Sequence, residues 1–304
     1  MTSVSLSIPL AQYSLLAIFA SMALYTITFL VFVWHLGRAT SENKDARANS
    51  GALEKVGFVL LSVAVAVHGF GVVLRGVAAS RVPWANMYEF SISGSFILVA
   101  IFLACWRVRE IRAIASFVVG FALLVLGTAT TIFYVQIKTL MPALQSYWLV
   151  IHVTVAVLAT AFFNIAAALS VAYLLKTSTI VEKSKAKVVA FGRRTLSVFP
   201  NEQTLERLQV RFNAIGLVLW TFTLIAGAIW AQKAWHRFWG WDTKEVWTLI
   251  IWILYAGYFH ATATRGWTGK RAAWLSLVGF TAIIFNFTIV NLFFKGLHVY
   301  SGLK

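Results

Sequence analysis

The sequence predicts an all-α polytopic membrane bundle of about eight helices with both termini on the external side, and three observations lead there. Hydrophobic residues make up 60% of the 304 and charged residues 12%, with a mean hydropathy of +0.79, a balance typical of membrane proteins rather than soluble domains. Apolar runs of roughly 18 residues or more recur along the chain, each long enough to cross the ~30 Å hydrocarbon core. The ten-residue apolar/polar alternation of a transmembrane β-barrel does not occur, so the spans read as helices.

The first span covers about 11 to 34. It has no Lys or Arg before Arg38, so it lacks the charged leader region of a cleavable signal peptide and reads as a true span. The polar stretch from Gly37 to Lys55, containing SENKDARANSG, reads as a flexible loop. The second span, 56 to 74, contains His68; the third and fourth, 88 to 106 and 113 to 134, flank Arg107, Arg109 and Arg112. The fifth, 148 to 175, opens beside His152 in QSYWLVIH. Between residues 176 and 211 lies a basic connector with scattered apolar residues; an amphipathic segment on the inner leaflet and a solvated linker both fit it. The sixth, seventh and eighth spans, 212 to 232, 247 to 264 and 272 to 294, enclose the connector 233 to 246. The chain thus reads as one integral membrane domain over 1–304, with no internal repeat.

Net charge of +16 raises the question of nucleic acid, and the placement of the basic residues answers it. Eighteen of the 26 Lys and Arg fall in the connectors on one side of the membrane and eight on the other. That asymmetry is an orientation signal: the richer side faces the cytoplasm, and the attraction it creates is for anionic lipid. The connectors 75 to 87, 135 to 147 and 233 to 246, and the tail after 294, then lie outside a plasma membrane.

The external connector 233 to 246 holds all but the last residue of WGWDTKEVW, 239 to 247, and Trp235, Trp239, Trp241 and Trp247 fall within thirteen residues. Single tryptophans serve as interfacial anchors. A cluster beside Asp242, Lys244 and Glu245 instead suits a rigid aromatic shelf for a large planar apolar ligand with charged edges; a salt-bridged helix start at 242 to 247 is the plainer reading of the ions.

Histidines supply the second signal. His68 and His260 lie inside spans, where an imidazole needs a partner or a ligand. Two in separate helices raise the prospect of a shared metal centre, against a hydrogen bond to a neighbouring helix. His152 and His298 share the external face with the tryptophans, and two neutral imidazoles on opposite sides of haem iron give six-coordinate iron; ordinary interfacial histidines remain the alternative. His35, at the cytoplasmic end of the first span, reads as structural, and the role of His236 stays open. The lone Cys105 excludes an internal disulfide and a self-contained CxxCH attachment site. No paired CxxC, HExxH or phosphate-loop pattern is present, so zinc hydrolysis and direct ATP use receive no support.

The run WAQKAWHRFWGWDTKEVWTLIIW resembles the tryptophan-rich WWD signature of haem-handling membrane proteins. Together with HGFGVVLRGVAASRVPWANMYEF around His68, LMPALQSYWLVIH ending at His152, and the segment from His260 to His298, the arrangement resembles the CcsA/ResC-type subunit of the system II cytochrome c biogenesis apparatus over roughly 56 to 302. The resemblance implies a protein that moves haem b outward and presents it for thioether attachment to the CxxCH of apocytochrome c, as part of a holocytochrome c synthase with a ResB-type membrane partner. It implies His68 and His260 as transmembrane haem-iron ligands and His152 and His298 as external ones, with Trp235, Trp239, Trp241, Asp242 and Trp247 at the haem site, and leaves Asp242, Lys244 and Glu245 either to set the loop fold or to contact propionates. Thr243 and His236 depart from the family's usual proline and glycine. A haem carrier without attachment activity, a di-haem electron-transfer protein and a small-solute transporter are the competing readings.

Overall fold

The computed structural model describes residues 2–138, 145–178, 187–294 and 296–297. Among them there is no strand, and eight helical segments are long and apolar enough to cross a membrane, matching the eight expected spans. The helices are α1 (Thr2–Ala39), α2 (Lys44–Ala48), α3 (Ser50–Ala79), α4 (Met87–Ala104), α5 (Ala115–Thr131), α6 (Tyr147–Lys176), α7 (Lys187–Ser197), α8 (Glu202–Trp235), α9 (Thr243–Arg265), α10 (Lys270–Phe285) and the short α11 (Asn291–Phe293). A π-helical segment, Asn286–Val290, joins the last two, and 3₁₀ turns over Cys105–Arg107 and Arg109–Ile114 join α4 to α5.

The connectors are more ordered than their polarity suggests. The expected flexible loop 37–55 is instead largely helical: α1 runs on to Ala39, and Asn43 caps α2 by accepting from the Asp45 and Ala46 amides. Asn and Asp at a helix start favour such a turn, a signal that the polarity of the segment conceals. The basic connector likewise contains α7 and the first turns of α8. At ~1.5 Å per residue, the 34-residue α8 is about 51 Å long, well beyond the hydrocarbon core, so its charged first turns project past the apolar span. Lys176 ends α6 by donating to the carbonyls of Phe199 and Pro200 at 2.7 and 2.8 Å, and Phe199 is buried in the bundle.

Packing follows small residues, since lipid removes the apolar driving force between helices. α1 lies along α3 and α6 along α8. Gly216 lets α8 approach α6 so closely that a Cβ there would sit 2.6 Å from the Phe163 ring, which itself stacks on Tyr255 of α9 at 3.6 Å. One apolar cluster joins α1, α3, α4 and α5 to α6, with Leu205, Leu208 and Phe212 of α8 and Ala273 of α10; a second joins α6 to α8, α9 and α10. α6 is the shared wall.

Candidate functional site

A cavity of about 250 Å³ opens in this helix arrangement, walled by α4, α5, α6, α8, α9 and the π-helical segment. Its lining is mostly apolar and aromatic, with Trp84, Trp220 and Trp230 among the rings and His152, Lys244 and Asn286 among the polar groups. Along α6 it extends from Leu149 to Asn164, about 22 Å at the helical rise. Apolar pockets with a few convergent polar groups are the usual form of a binding site.

His152 is the best positioned of the expected histidines. Its Nδ1 lies 3.0 Å from the Thr223 carbonyl oxygen, which α8 exposes one turn from Gly227. An Nδ1–H donating to that carbonyl fixes the neutral tautomer with its lone pair on Nε2, the form that ligates a metal. Trp230 stacks on the ring with centroids 5.9 Å apart and an interplanar angle of 20°. The imidazole fits because residue 227 is glycine: a Cβ there would fall 2.8 Å from Cε1.

One wall of the mouth is fixed by a buried ionic cluster that sequence reading passed over. Glu89, fully buried, accepts from Arg75 Nε at 3.1 Å, from both Arg81 terminal nitrogens, and from the Ala85 amide at 3.0 Å. Arg75 also donates to the Val135 carbonyl at 2.9 Å and lies over the Tyr88 ring. Ser80 adopts the left-handed conformation that ends α3, and Asn86 caps α4. Between those two ends the chain presents Trp84, Ala85, Asn86 and Met87 to the cavity. The signal available in the sequence was two arginines and a glutamate at the rim of apolar spans, where unpaired charge is expensive.

The tryptophans of the connector pair with one another and with rings of the bundle. Trp235 packs edge to face on Trp230 at 4.9 Å, Trp239 does the same with Trp241 at 5.8 Å, and Trp247 lies against Phe285 inside the bundle. The tryptophans that line the cavity are Trp84, Trp220 and Trp230, beside Phe90, Phe121 and Phe287. Trp241 is 74% exposed and holds φ at 59°, a strained value for a side chain of its size. His236 is exposed and ends α8 in the left-handed conformation.

The ions of WDTKE build the start of α9. Asp242 is its N-cap, accepting from the Lys244 amide at 2.9 Å, while Glu245 reaches back to the amides of Gly240 and Asp242 at 2.7 and 3.2 Å. This is a capping box. The second oxygen of Asp242 accepts from the Leu297 amide at 2.8 Å, tying the C-terminal tail to the connector. His298 follows directly and lies outside the described residues.

His68 and His260 are not brought together. His68 is fully buried, shares a 3.2 Å hydrogen bond with the Tyr25 hydroxyl through Nδ1, and is flanked edge-on by Tyr25 and Phe96. Its Nε2 has no hydrogen-bond partner among the described residues. His260 is exposed on α9, on one outward stripe with Ile253, Gly257 and Thr264. α3 packs chiefly on α1 and α4, and α9 on α8 and α10. His35 holds α1 to α3 through a 2.8 Å contact with the Ser50 carbonyl. No group of three or more His, Cys, Asp or Glu suited to a metal ion occurs among the described residues.

Fold and cavity together define a polytopic all-helical membrane protein built around an apolar, histidine-bearing pocket at one end of its bundle. Residues 84–298 match the family described as cytochrome C assembly protein, and the chain belongs to that family. It is 34% identical over 246 residues to the cytochrome c biogenesis protein CcsA of Guillardia theta, an overlap covering 76% of this chain and 80% of the relative. The CcsA of Prochlorococcus marinus strain SARG is 31% identical over 262 residues, covering 80% and 83%. That of Synechococcus elongatus is 31% identical over 264 residues, covering 75% and 81%. The family match includes His152, His260 and His298 and begins after His68.

Proposed function

We propose that this cytochrome c biogenesis protein binds haem b as its substrate in the cavity beside His152 and presents it there for covalent attachment to apocytochrome c. The carrying observation is the His152 arrangement: Nδ1 held on the Thr223 carbonyl, the ring stacked on Trp230, and an apolar cavity in front. His298, on the tail that Asp242 anchors through Leu297, is the proposed second axial ligand. Trp235 backs Trp230, and Trp239, Trp241, Asp242 and Trp247 shape the connector above. Charge asymmetry orients the connector 233–246 to the outside of a plasma membrane and the basic connector 176–211 to the cytoplasm.

In the attachment step a cysteine thiol of CxxCH adds across each haem vinyl group. One C–S bond forms, the vinyl double bond is lost, and the thiol hydrogen ends on the adjacent carbon. The protein's part is proximity and orientation, which can lower a barrier by several kcal/mol. A ResB-type membrane protein is the proposed partner of the complete synthase.

His260 is the proposed station on the way. At ~1.5 Å per residue it lies about 25 Å along α9 from Thr243, near the end carrying Arg265, Lys270 and Arg271. A macrocycle lying over Gly257, with open space above that glycine, would be ligated by His260 on one side only. His68 could join it only by leaving Tyr25 and Phe96, so the second ligand comes from outside this chain or from that rearrangement.

The test is to co-express the protein with a ResB-type partner and a CxxCH apocytochrome, then follow covalent haem on the cytochrome after denaturation. Thioether-linked product that disappears with His152→Ala supports the reading. Haem on the membrane protein without any linked product would leave a carrier, and no haem on the folded protein would remove both.

A further inference from the structure

Lys244 is a cation placed where three physical effects oppose it. It occupies the first turn of α9, at the end where the helix dipole disfavours positive charge. It lines a mostly apolar cavity, where an ammonium loses hydration. No ion pair within 4 Å involves it among the described residues. Asp242 lies close enough to favour the lysine's charge but outside ion-pair distance, with its oxygens on the Lys244 and Leu297 amides, and Glu245 is engaged with the amides of Gly240 and Asp242.

Two polar groups on the same lining lack partners among the described residues. Ser91 Oγ and Asn286 Oδ1 make no hydrogen bond among the described residues, in side chains of residues only 2% and 8% exposed. The contact of Trp247 with Phe285, at 4.4 Å, sets the first turns of α9 beside residues 285 and 286, so Lys244 and Asn286 belong to neighbouring walls. Asn286 opens the π-helical segment, a deformation that often marks functional sites. Buried polar groups without partners are rare in folded proteins, and two of them on a lining that also carries a cation point to an anionic ligand.

We propose that Lys244, with Asn286 and Ser91 on the same lining, forms a carboxylate subsite that grips a propionate of the haem bound beside His152. The inference rests on the proposed haem reading and adds to it the group that fixes which edge of the macrocycle lies against α9. The ammonium supplies a charge-assisted hydrogen bond in a cavity poor in water, where such a contact is strongest. With iron held at His152 and one acidic edge at Lys244, in-plane rotation of the macrocycle is stopped. Fixed orientation is what stereospecific addition at the vinyl groups requires.

The experiment titrates the full-length, detergent-purified protein with iron protoporphyrin IX and with its dimethyl ester, following the Soret band. The wild type is expected to bind the diacid about tenfold more tightly, the factor that corresponds to about 1.4 kcal/mol. Lys244→Met should bring the two within about twofold of each other while Lys244→Arg keeps most of the preference, in line with a lost charged contact. Equal binding of acid and ester by the wild type would overturn the subsite even if Lys244→Met fails to fold, as would an undiminished preference in a folded Lys244→Met. No binding of either porphyrin by the folded wild type would instead overturn the haem reading on which the subsite stands.

Discussion

The His152 imidazole rests directly on Gly227, so that a Cβ at 227 would lie 2.8 Å from Cε1 and 2.9 Å from Nδ1 of the ring. Gly227→Ala must therefore push the ring off the Thr223 carbonyl or part α6 from α8, at about 1–3 kcal/mol of overpacking strain. The expected result is a folded protein whose haem absorption falls toward that of His152→Ala. A wild-type spectrum from Gly227→Ala would show that the position of the ring against α8 is immaterial to ligation.

The cluster around Glu89 predicts a strong asymmetry among ion-pair substitutions. Removing the fully buried Glu89 strands Arg75, itself 1% exposed, and Glu89→Ala should destabilise by about 3–5 kcal/mol. Glu54→Ala breaks an ion pair with Arg112 whose partners are each 28% exposed, and should cost about 0–1 kcal/mol. Thermal unfolding in detergent reads the difference, and similar losses for both would contradict the assigned burial.

Much of the fold was legible because one property, apolar length, decides it: all eight spans appear where the hydropathy put them. Helix ends were less legible, since Asn43 capping α2 and the polar first turns of α8 are local hydrogen-bonding matters inside segments that composition marks as connectors. At the site, the sequence draws attention to His152 and to the tryptophan connector, but not to the aromatic lining of the cavity. Trp84, Trp220 and Trp230 line the cavity although they stand apart in sequence, and only tertiary packing gathers them. Spacing likewise gave no hint that His68 and His260 face different surroundings, because burial around a helix depends on which neighbours cover each face.

His68 and His260 should respond differently to removal. His68 is enclosed by Tyr25 and Phe96, so His68→Ala leaves a void and an unpartnered tyrosine hydroxyl and is expected to lower the melting temperature with little change in bound haem. His260 is exposed on α9 and supports no packing of comparable extent; His260→Ala should leave stability near wild type and lower haem content in cells supplying the partner. Reduced absorption spectra paired with melting curves separate the two, and equal haem loss from both, with unchanged stability, would favour a shared transmembrane site.

Asp242 joins two structures that sequence alone keeps 55 residues apart: one oxygen caps α9 and the other holds the Leu297 amide. Asp242→Ala removes the cap, at about 1 kcal/mol, and frees the tail. Since His298 follows Leu297 immediately, the substitution should alter the haem spectrum as His298→Ala does while lowering the melting temperature only modestly. Asp242→Asn keeps an acceptor for the cap and should lie between the two. If Asp242→Ala keeps the wild-type spectrum where His298→Ala loses it, the tail is held by other contacts, and the aspartate's part is confined to starting the helix.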